Sequence, residues 1–326
     1  MIEPSPRAEG SRSSLLPVVM LGILVLAVAV AWSLSASRQR LARRGAELVA
    51  QVRKDGLPAH WRSFQSRWLL AQKAGRYVGW RATVRLVEPQ GAAEGFDVSV
   101  LATGQHLAGA WERWSLDAGL SQGEYRSGLV LPGRVGPQLA QDTVIRYADK
   151  TVEVVQGIAQ HSVQSRAPAP ANYLPEGTLE LAFRLAAMRK IRAQFRTIEN
   201  SVPPAGQTTQ FITVLAEPFD ASASGVVGAA FAVNVRFFLP GGSMEQAWLF
   251  DDQGNLLQKT DREAFWTLAS ADQLAEHFPA APRQLASILE RLGLPTASEP
   301  SQEQDEEQDE ESAPPPILKG DGGRQI

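Results

Sequence analysis

The chain opens with one long apolar run and then changes its period of hydrophobicity twice. Residues 15–34 read LLPVVMLGILVLAVAVAWSL, with no charged side chain. At ~1.5 Å of rise per residue such a helix covers ~30 Å, the thickness of a bilayer's hydrocarbon core. Trp32 sits near one end, where an amphipathic ring favours the interface, and Pro17 falls in the first turn, where a missing N–H costs little. The run predicts a membrane-spanning helix. A cleaved signal peptide has a shorter apolar core and a basic lead; here Glu3 and Glu9 accompany Arg7 and Arg12. Ser33, Ser35 and Ala36 keep cleavage as an alternative. A buried soluble helix is disfavoured because the run is apolar on every side.

A helical stalk is expected next. Leu41, Leu48, Val49 and Val52 recur at helical spacing, weakened by Gly45. Gly56 stops this helix and Pro58 suits the start of a second, with Trp61, Phe64 and Trp68 on one face and Gly75 at its end. From residue 76 the period becomes two. Val78, Trp80, Ala82, Val84 and Leu86 share one face, and Arg81, Thr83 and Arg85 share the other, as in a half-buried antiparallel strand. Phe96, Val98 and Val100 repeat the pattern. Further strands are expected at 110–117, 124–131, 143–147 and 151–155, with a tight hairpin at Asp149 and Lys150 and loops at 132–137 and 168–170.

One amphipathic helix interrupts the strands. Pro175, Glu176 and Thr178 open it; Phe183, Ala187, Ile191 and Phe195 form its apolar stripe, joined by Met188. Arg189, Lys190, Arg192 and Arg196 fall on the far side and are the candidate membrane-surface contact. The alternative is that the stripe covers the sheet while these cations face water. Strands resume at 209–216 and 229–239, where Phe231, Val233, Val235 and Phe237 alternate with polar or small residues. Trp248 and Phe250 precede a turn at 251–255 and a return strand at 256–259. A capping box at 270–273 starts a short helix, and a last helix runs over 282–292.

The domain reading is thus an N-terminal tail (1–14), a transmembrane helix (15–34), a helical stalk (35–75), a β-rich body (76–294) and an acidic disordered tail (295–326). Residues 299–311 hold eight acidic side chains and no basic one, so the rest of the 326-residue chain is net basic although the whole carries −3. That overall balance argues against a nucleic-acid partner. With no cysteine, disulfides, thiol catalysis and Cys-ligated metals are excluded. His60, His106, His161 and His277 lie far apart, and no HExxH, P-loop or GxGxxG motif occurs. The segment 172–177 (NYLPEG) is the densest local cluster of unusual residue types and reads as the start of a helix. Neither an enzymatic activity nor a cofactor or metal site is expected.

The element order is similar to that of the lipoprotein-carrier (LolA-like) families. The strand 78–86, the segment 172–187 and the hairpin at 251–254 carry the resemblance, which spans roughly residues 77–260. It implies a strongly curved, incompletely closed, half-barrel-like sheet with helices on the concave side. It also implies an extracytoplasmic (periplasmic) location, and a site that holds an acyl chain or hydrophobic peptide between sheet and helix. The membrane span departs from the free-moving carriers, so shuttling is not expected and no functional residue is carried over.

Together these readings give an α+β protein: a single-pass anchor and a curved antiparallel sheet with a covering amphipathic helix. Trp80, Val84, Phe96, Val98, Phe183, Ile191, Phe231 and Val233 are expected to line a hydrophobic interior. The expected function is non-enzymatic binding or scaffolding of a lipid, acylated protein or peptide. The alternatives are a structural interaction module, contacting a protein partner through the acidic tail, and an unrecognised hydrolase. Topology is contested: Arg38, Arg40, Arg43 and Arg44 flank the span and favour a cytoplasmic body, whereas long domains translocate largely regardless of charge. The extracytoplasmic side is the expectation.

Overall fold

The computed structural model describes residues 15–88, 91–103, 106–131, 138–148, 150–158, 161–198, 211–260 and 264–294. The N-terminal tail, the loop at 132–137 and the acidic tail lie outside them. One helix, α1 (Leu15–Asp55), precedes eight strands: β1 (Phe64–Lys73), β2 (Arg76–Val87), β3 (Ala93–Thr103), β4 (His106–Leu116), β5 (Gln122–Leu131), β6 (Gln138–Ala148), β7 (Thr151–Ile158) and β8 (His161–Pro168). A second helix, α2 (Leu179–Met188), leads to six more: β9 (Ala193–Ile198), β10 (Phe211–Phe219), β11 (Phe231–Leu239), β12 (Gly242–Phe250), β13 (Leu256–Thr260) and β14 (Phe265–Ala269). Two helices close the described chain, α3 (Ala271–His277) and α4 (Ala281–Arg291).

All strands join one antiparallel sheet, ordered β8-β7-β6-β5-β4-β3-β2-β1-β14-β13-β12-β11-β10-β9. The chain meanders outward from β1 to one edge, crosses to the opposite edge through α2, and meanders back to pair β14 with β1. The crossing forces curvature. Tyr173, on the crossing segment, packs its ring 5.4 Å from Tyr147 of β6 and 5.6 Å from Phe211 of β10, strands near opposite edges. The Tyr173 segment also bridges β9 directly, since the Leu174 N–H donates to the Arg196 carbonyl and the Arg196 N–H to that of Asn172. The sheet therefore curls around α2.

Both faces are covered. On the concave face, Leu48, Val49 and Val52 of α1 and Leu181, Phe183 and Leu185 of α2 pack on the sheet. On the convex face, Leu274 of α3 and Leu285, Ile288 and Leu289 of α4 cover Trp80, Ala82, Val84, Phe96, Val98 and Trp111. Each face is assigned by the alternation of β2, whose Arg85 turns toward α2 while Val84 lies under α4.

Three expectations are corrected. First, no helix forms after Pro58: a short 3-10 helix (Leu57–Ala59) gives way to β1. The aromatic spacing there is real, but Trp61 packs on Trp114 (5.0 Å) and Trp68 on Trp80 (5.6 Å), in separate clusters on opposite faces. β1 joins the two meanders, and pairing on both of its edges overrides a local helical period. Second, the basic amphipathic helix is shorter than its pattern. Lys190 adopts a left-handed conformation (φ 53°) and the Ile191 N–H closes back on the Ala186 carbonyl, so α2 ends and Phe195 belongs to β9. Third, the eight residues expected to line one interior do not share a face. Trp80, Val84, Phe96 and Val98 lie beneath α3 and α4, whereas Phe183, Ile191, Phe231 and Val233 belong to the concave core.

Gly45 explains why α1 is not a detached stalk. A Cβ there would lie 2.0 Å from the Gln194 carbonyl oxygen, so only glycine lets the helix rest on β9. We predict that Gly45→Ala lowers stability by about 1–3 kcal/mol, because the clash is with backbone and outweighs the gain in helix propensity of about 1 kcal/mol. Gly22→Ala, whose Cβ meets nothing within 4 Å, is the control and does not lower stability. Thermal unfolding of the two variants in detergent compares them.

Candidate functional site

The concave face of the sheet is polar along a line. Thr83 pairs with Asp97, Asp97 with Glu112, Glu112 with Ser127, Ser127 with Thr143 and Thr143 with Gln156, so these six side chains run across β2 to β7 on one face. Asp97 accepts from the Thr83 hydroxyl (2.7 Å) and from Arg81 Nε (2.8 Å). Burial and the neighbouring Asp97 push the Glu112 carboxyl up. An apolar row lies one register step away: Trp114, Tyr125, Ile145 and Val154 are successive cross-strand partners. Gly95, opposite Trp114, makes room for its indole, since a Cβ there would meet the ring at 1.9 Å.

Beside these rows lies a cavity of about 730 Å³, bounded by the loop 58–62, β1, β2, α2 and the turn 253–255. The size is that of a small-molecule site. Arg67 and Glu180 meet in a two-pronged ion pair, with Nη1 to Oε1 at 2.9 Å and Nη2 to Oε2 at 2.5 Å. Arg85 reaches the same carboxylate at 3.4 Å and lies 4.5 Å above the Trp61 ring. Arg184, one helical turn after Glu180, donates to the His60 carbonyl. Burial alone would raise the Glu180 carboxyl, but Arg67 and Arg85 outweigh it and hold it well below the usual carboxylate range. Burial lowers the Arg85 guanidinium to about 10, helped by repulsion from Arg67 and Arg184 and opposed by Glu180. His60 faces Asp55 at 3.3 Å, and burial keeps the imidazole below its ordinary value.

The apolar space under α1 and α2 is filled instead, whereas about 200 Å³ stays open between β2, β3 and the turn from α3 to α4, beside Trp80, Val100 and Phe278. The gap between α1, α2 and β9, lined by Leu48, Val52, Leu181 and Phe195, holds about 10 Å³, less than an acyl chain needs.

The candidate membrane-surface residues are not one helical face. Arg189 donates to Gln51 of α1 and Lys190 is exposed at the end of α2. Arg192 pairs with Glu217 at 2.6 Å, and Arg196 on β9 donates to the Phe211 carbonyl at 3.3 Å. His277 stacks on Tyr77 at 4.0 Å, far along the chain from His60, and among the described residues no three potential ligands gather as a metal site. Sequence reasoning missed Arg67, Glu180 and Arg184. Their only local signal is the pair Glu180 and Arg184, four residues apart within the otherwise apolar LELAFRLAAM.

The 172–177 segment does start a helix, but Glu176 does more. Its buried carboxylate accepts from the Ile198 N–H (3.0 Å), the Thr197 hydroxyl (3.0 Å) and the Tyr173 hydroxyl (3.2 Å), tying the crossing segment to β9.

Two comparisons with known proteins, against family models and against curated proteins, give no match. Among solved structures, a β-barrel-like protein of domain of unknown function DUF1849 from Brucella abortus matches with a TM-score of 0.45 and 10% identity. It covers 63% of this chain and 94% of that one. Of the resemblance to lipoprotein carriers, the structure shows the curved antiparallel sheet with a helix on its concave face, and not the family.

Burial raises the Glu176 carboxyl to about 7 from an ordinary 4.5. The folded protein therefore holds a proton there that the unfolded chain releases, and stability falls as pH rises from 4.5 toward 7. We predict that Glu176→Gln removes this slope: the thermal midpoint of the natural chain drops relative to the variant between pH 5 and pH 8, by about 1–3 kcal/mol in stability. Parallel melts across that range read the difference.

Proposed function

We propose that this chain is a membrane-tethered, non-enzymatic binding module. α1 would cross the bilayer once, and the curved-sheet body would receive a ligand in the arginine-lined cavity. The observation that carries the reading is the continuity of α1. Its apolar residues 19–34 are exposed on all sides, while Leu48, Val49 and Val52 of the same unbroken helix are buried in the body. The eleven residue steps from 34 to 45 rise only about 16 Å, so the anchor would hold the body against the lipid surface. Arg38, Arg40, Arg43 and Arg44 are exposed on this short span, at the height of the headgroups.

Binding rather than catalysis is supported by the chemistry of the cavity. Arg85, lowered only to about 10, stays charged at neutral pH, and Glu180 is held ionised by Arg67 and Arg85, so neither Arg85 nor Glu180 is poised to move a proton. A hydrophobic ligand between sheet and helix, the expectation from the lipoprotein carriers, is not supported where the core is filled. The charged cavity is the better receptor. We keep the body on the extracytoplasmic side as part of the proposal, on the strength of that resemblance and of the weak hold of flanking charge on long domains. A reporter fused to the C-terminus reads the side.

Alkaline carbonate washing of membranes from cells making the full chain tests the tether. We predict that the chain stays with the membrane at its full length, and that a version lacking residues 1–34 is released. A soluble full-length chain, or a mature chain beginning near residue 35, contradicts the anchor.

A further inference from the structure

We propose that the cavity between the loop 58–62, α2 and the turn 253–255 binds an oxyanion, a phosphate or carboxylate group, held by Arg67, Arg85 and Arg184. This rests on the reading of that cavity as the ligand-receiving site, and names the chemistry of what it takes.

The charge balance is the first reason. Among the described residues, the charged side chains lining the cavity are Arg62, Arg67, Arg85 and Arg184 against Glu180, four cations to one anion. Asp55, at the end of α1, lies 3.3 Å from the His60 imidazole and outside the lining. Buried charge of one sign is costly unless it is matched. Glu180 is already held on both oxygens by Arg67 and is touched by Arg85, so it has little capacity left for a third guanidinium.

Arg184 is the second reason. Its hydrogen bond goes to a neutral carbonyl, and its Nε is buried without a hydrogen-bond partner among the described residues. Burial lowers its affinity for a proton, Glu180 opposes that only in part and Arg67 adds to it, so an added anion would favour the charged form. Planar guanidinium groups match the oxygens of phosphate and carboxylate in two-pronged geometry. The third reason is the wall. Trp61 lies flat beneath Arg85, while Leu185 and Met188 add apolar surface beside the charges. Such a lining suits either a free oxyanion or the headgroup of an amphiphile. The loop 58–62 follows the end of α1, about 30 Å of helical rise beyond Leu34, so an amphiphile would reach it out of the bilayer.

The test uses the full chain in a neutral maltoside detergent. Inorganic phosphate, dodecyl phosphate and the neutral amphiphile dodecanol are titrated by calorimetry, with the thermal midpoint as a second readout. We expect saturable binding of a phosphate probe, weakened about tenfold or more by Arg184→Gln and kept within about threefold by Arg184→Lys. Dodecyl phosphate binding at least tenfold tighter than inorganic phosphate identifies an amphiphile headgroup; equal affinities identify a free oxyanion. Should Arg184→Gln not fold, Arg62→Gln, at an exposed lining position, tests the same charge dependence with a smaller expected loss. If neither phosphate probe binds, or the arginine substitutions leave affinity unchanged, the proposal is overturned. In that event, dodecanol binding that the cavity variants alter preserves the cavity as a receptor, and absence of all binding removes both readings.

Discussion

The ion pair between Arg67 and Glu180 decides where the crossing segment lies. The chain builds half of its sheet outward from β1, must reach the opposite edge to build the rest, and returns to β1 at the end. The crossing runs beneath the sheet, and Glu180 of α2 meets Arg67 of β1 at the strand where the two meanders join. Arg85 of the neighbouring strand adds to the same carboxylate. The apolar face of α2 then has one seat, over β10 and β11, and Phe183 packs edge-on to Trp248 (5.3 Å) and Phe237 (6.2 Å). Apolar packing supplies most of the favourable energy of this seat; the ion pair fixes its position along the sheet.

That arrangement has a cost that shapes the function. Charges on the concave face must be matched where they lie, and the fold matches them in two ways. Across the middle strands, Arg81, Thr83 and Asp97 satisfy one another. At the α2 end, Arg67 and Arg85 share Glu180, and among the described lining residues guanidinium groups outnumber carboxylates around open space. The apolar interior is meanwhile filled by α1 and α2. In place of the oily groove expected of a curved sheet there is a charged recess, beside a helix that is greasy at one end and part of the core at the other.

Much of this was legible in the sequence, and the failures have physical causes. The apolar run before Leu34 is visible because nothing interrupts it. The alternation in 78–86 correctly announces a strand, but alternation does not say which face turns inward, and α4 lies far away in sequence. Trp80 and Val84 therefore go to the convex side under α4, and Arg85 to the concave side under α2. Gly45 reads as a weakness in a helix, yet it is the contact surface of that helix on β9. The stripe from Phe183 to Phe195 keeps its period past the end of the helix, because β9 presents Phe195 to the same core. Arg67 and Glu180 are 113 positions apart and carry no mutual local signal. Their meeting is a property of the topology alone.

A double-mutant cycle on Arg67→Met and Glu180→Gln shows whether this pair seats α2. Each substitution alone is expected to be strongly destabilising, and the double variant to recover about 2 kcal/mol or more of the summed loss, since it removes both buried charges together. Losses that simply add, within about 0.5 kcal/mol, would show that the pair does not hold α2 on the sheet.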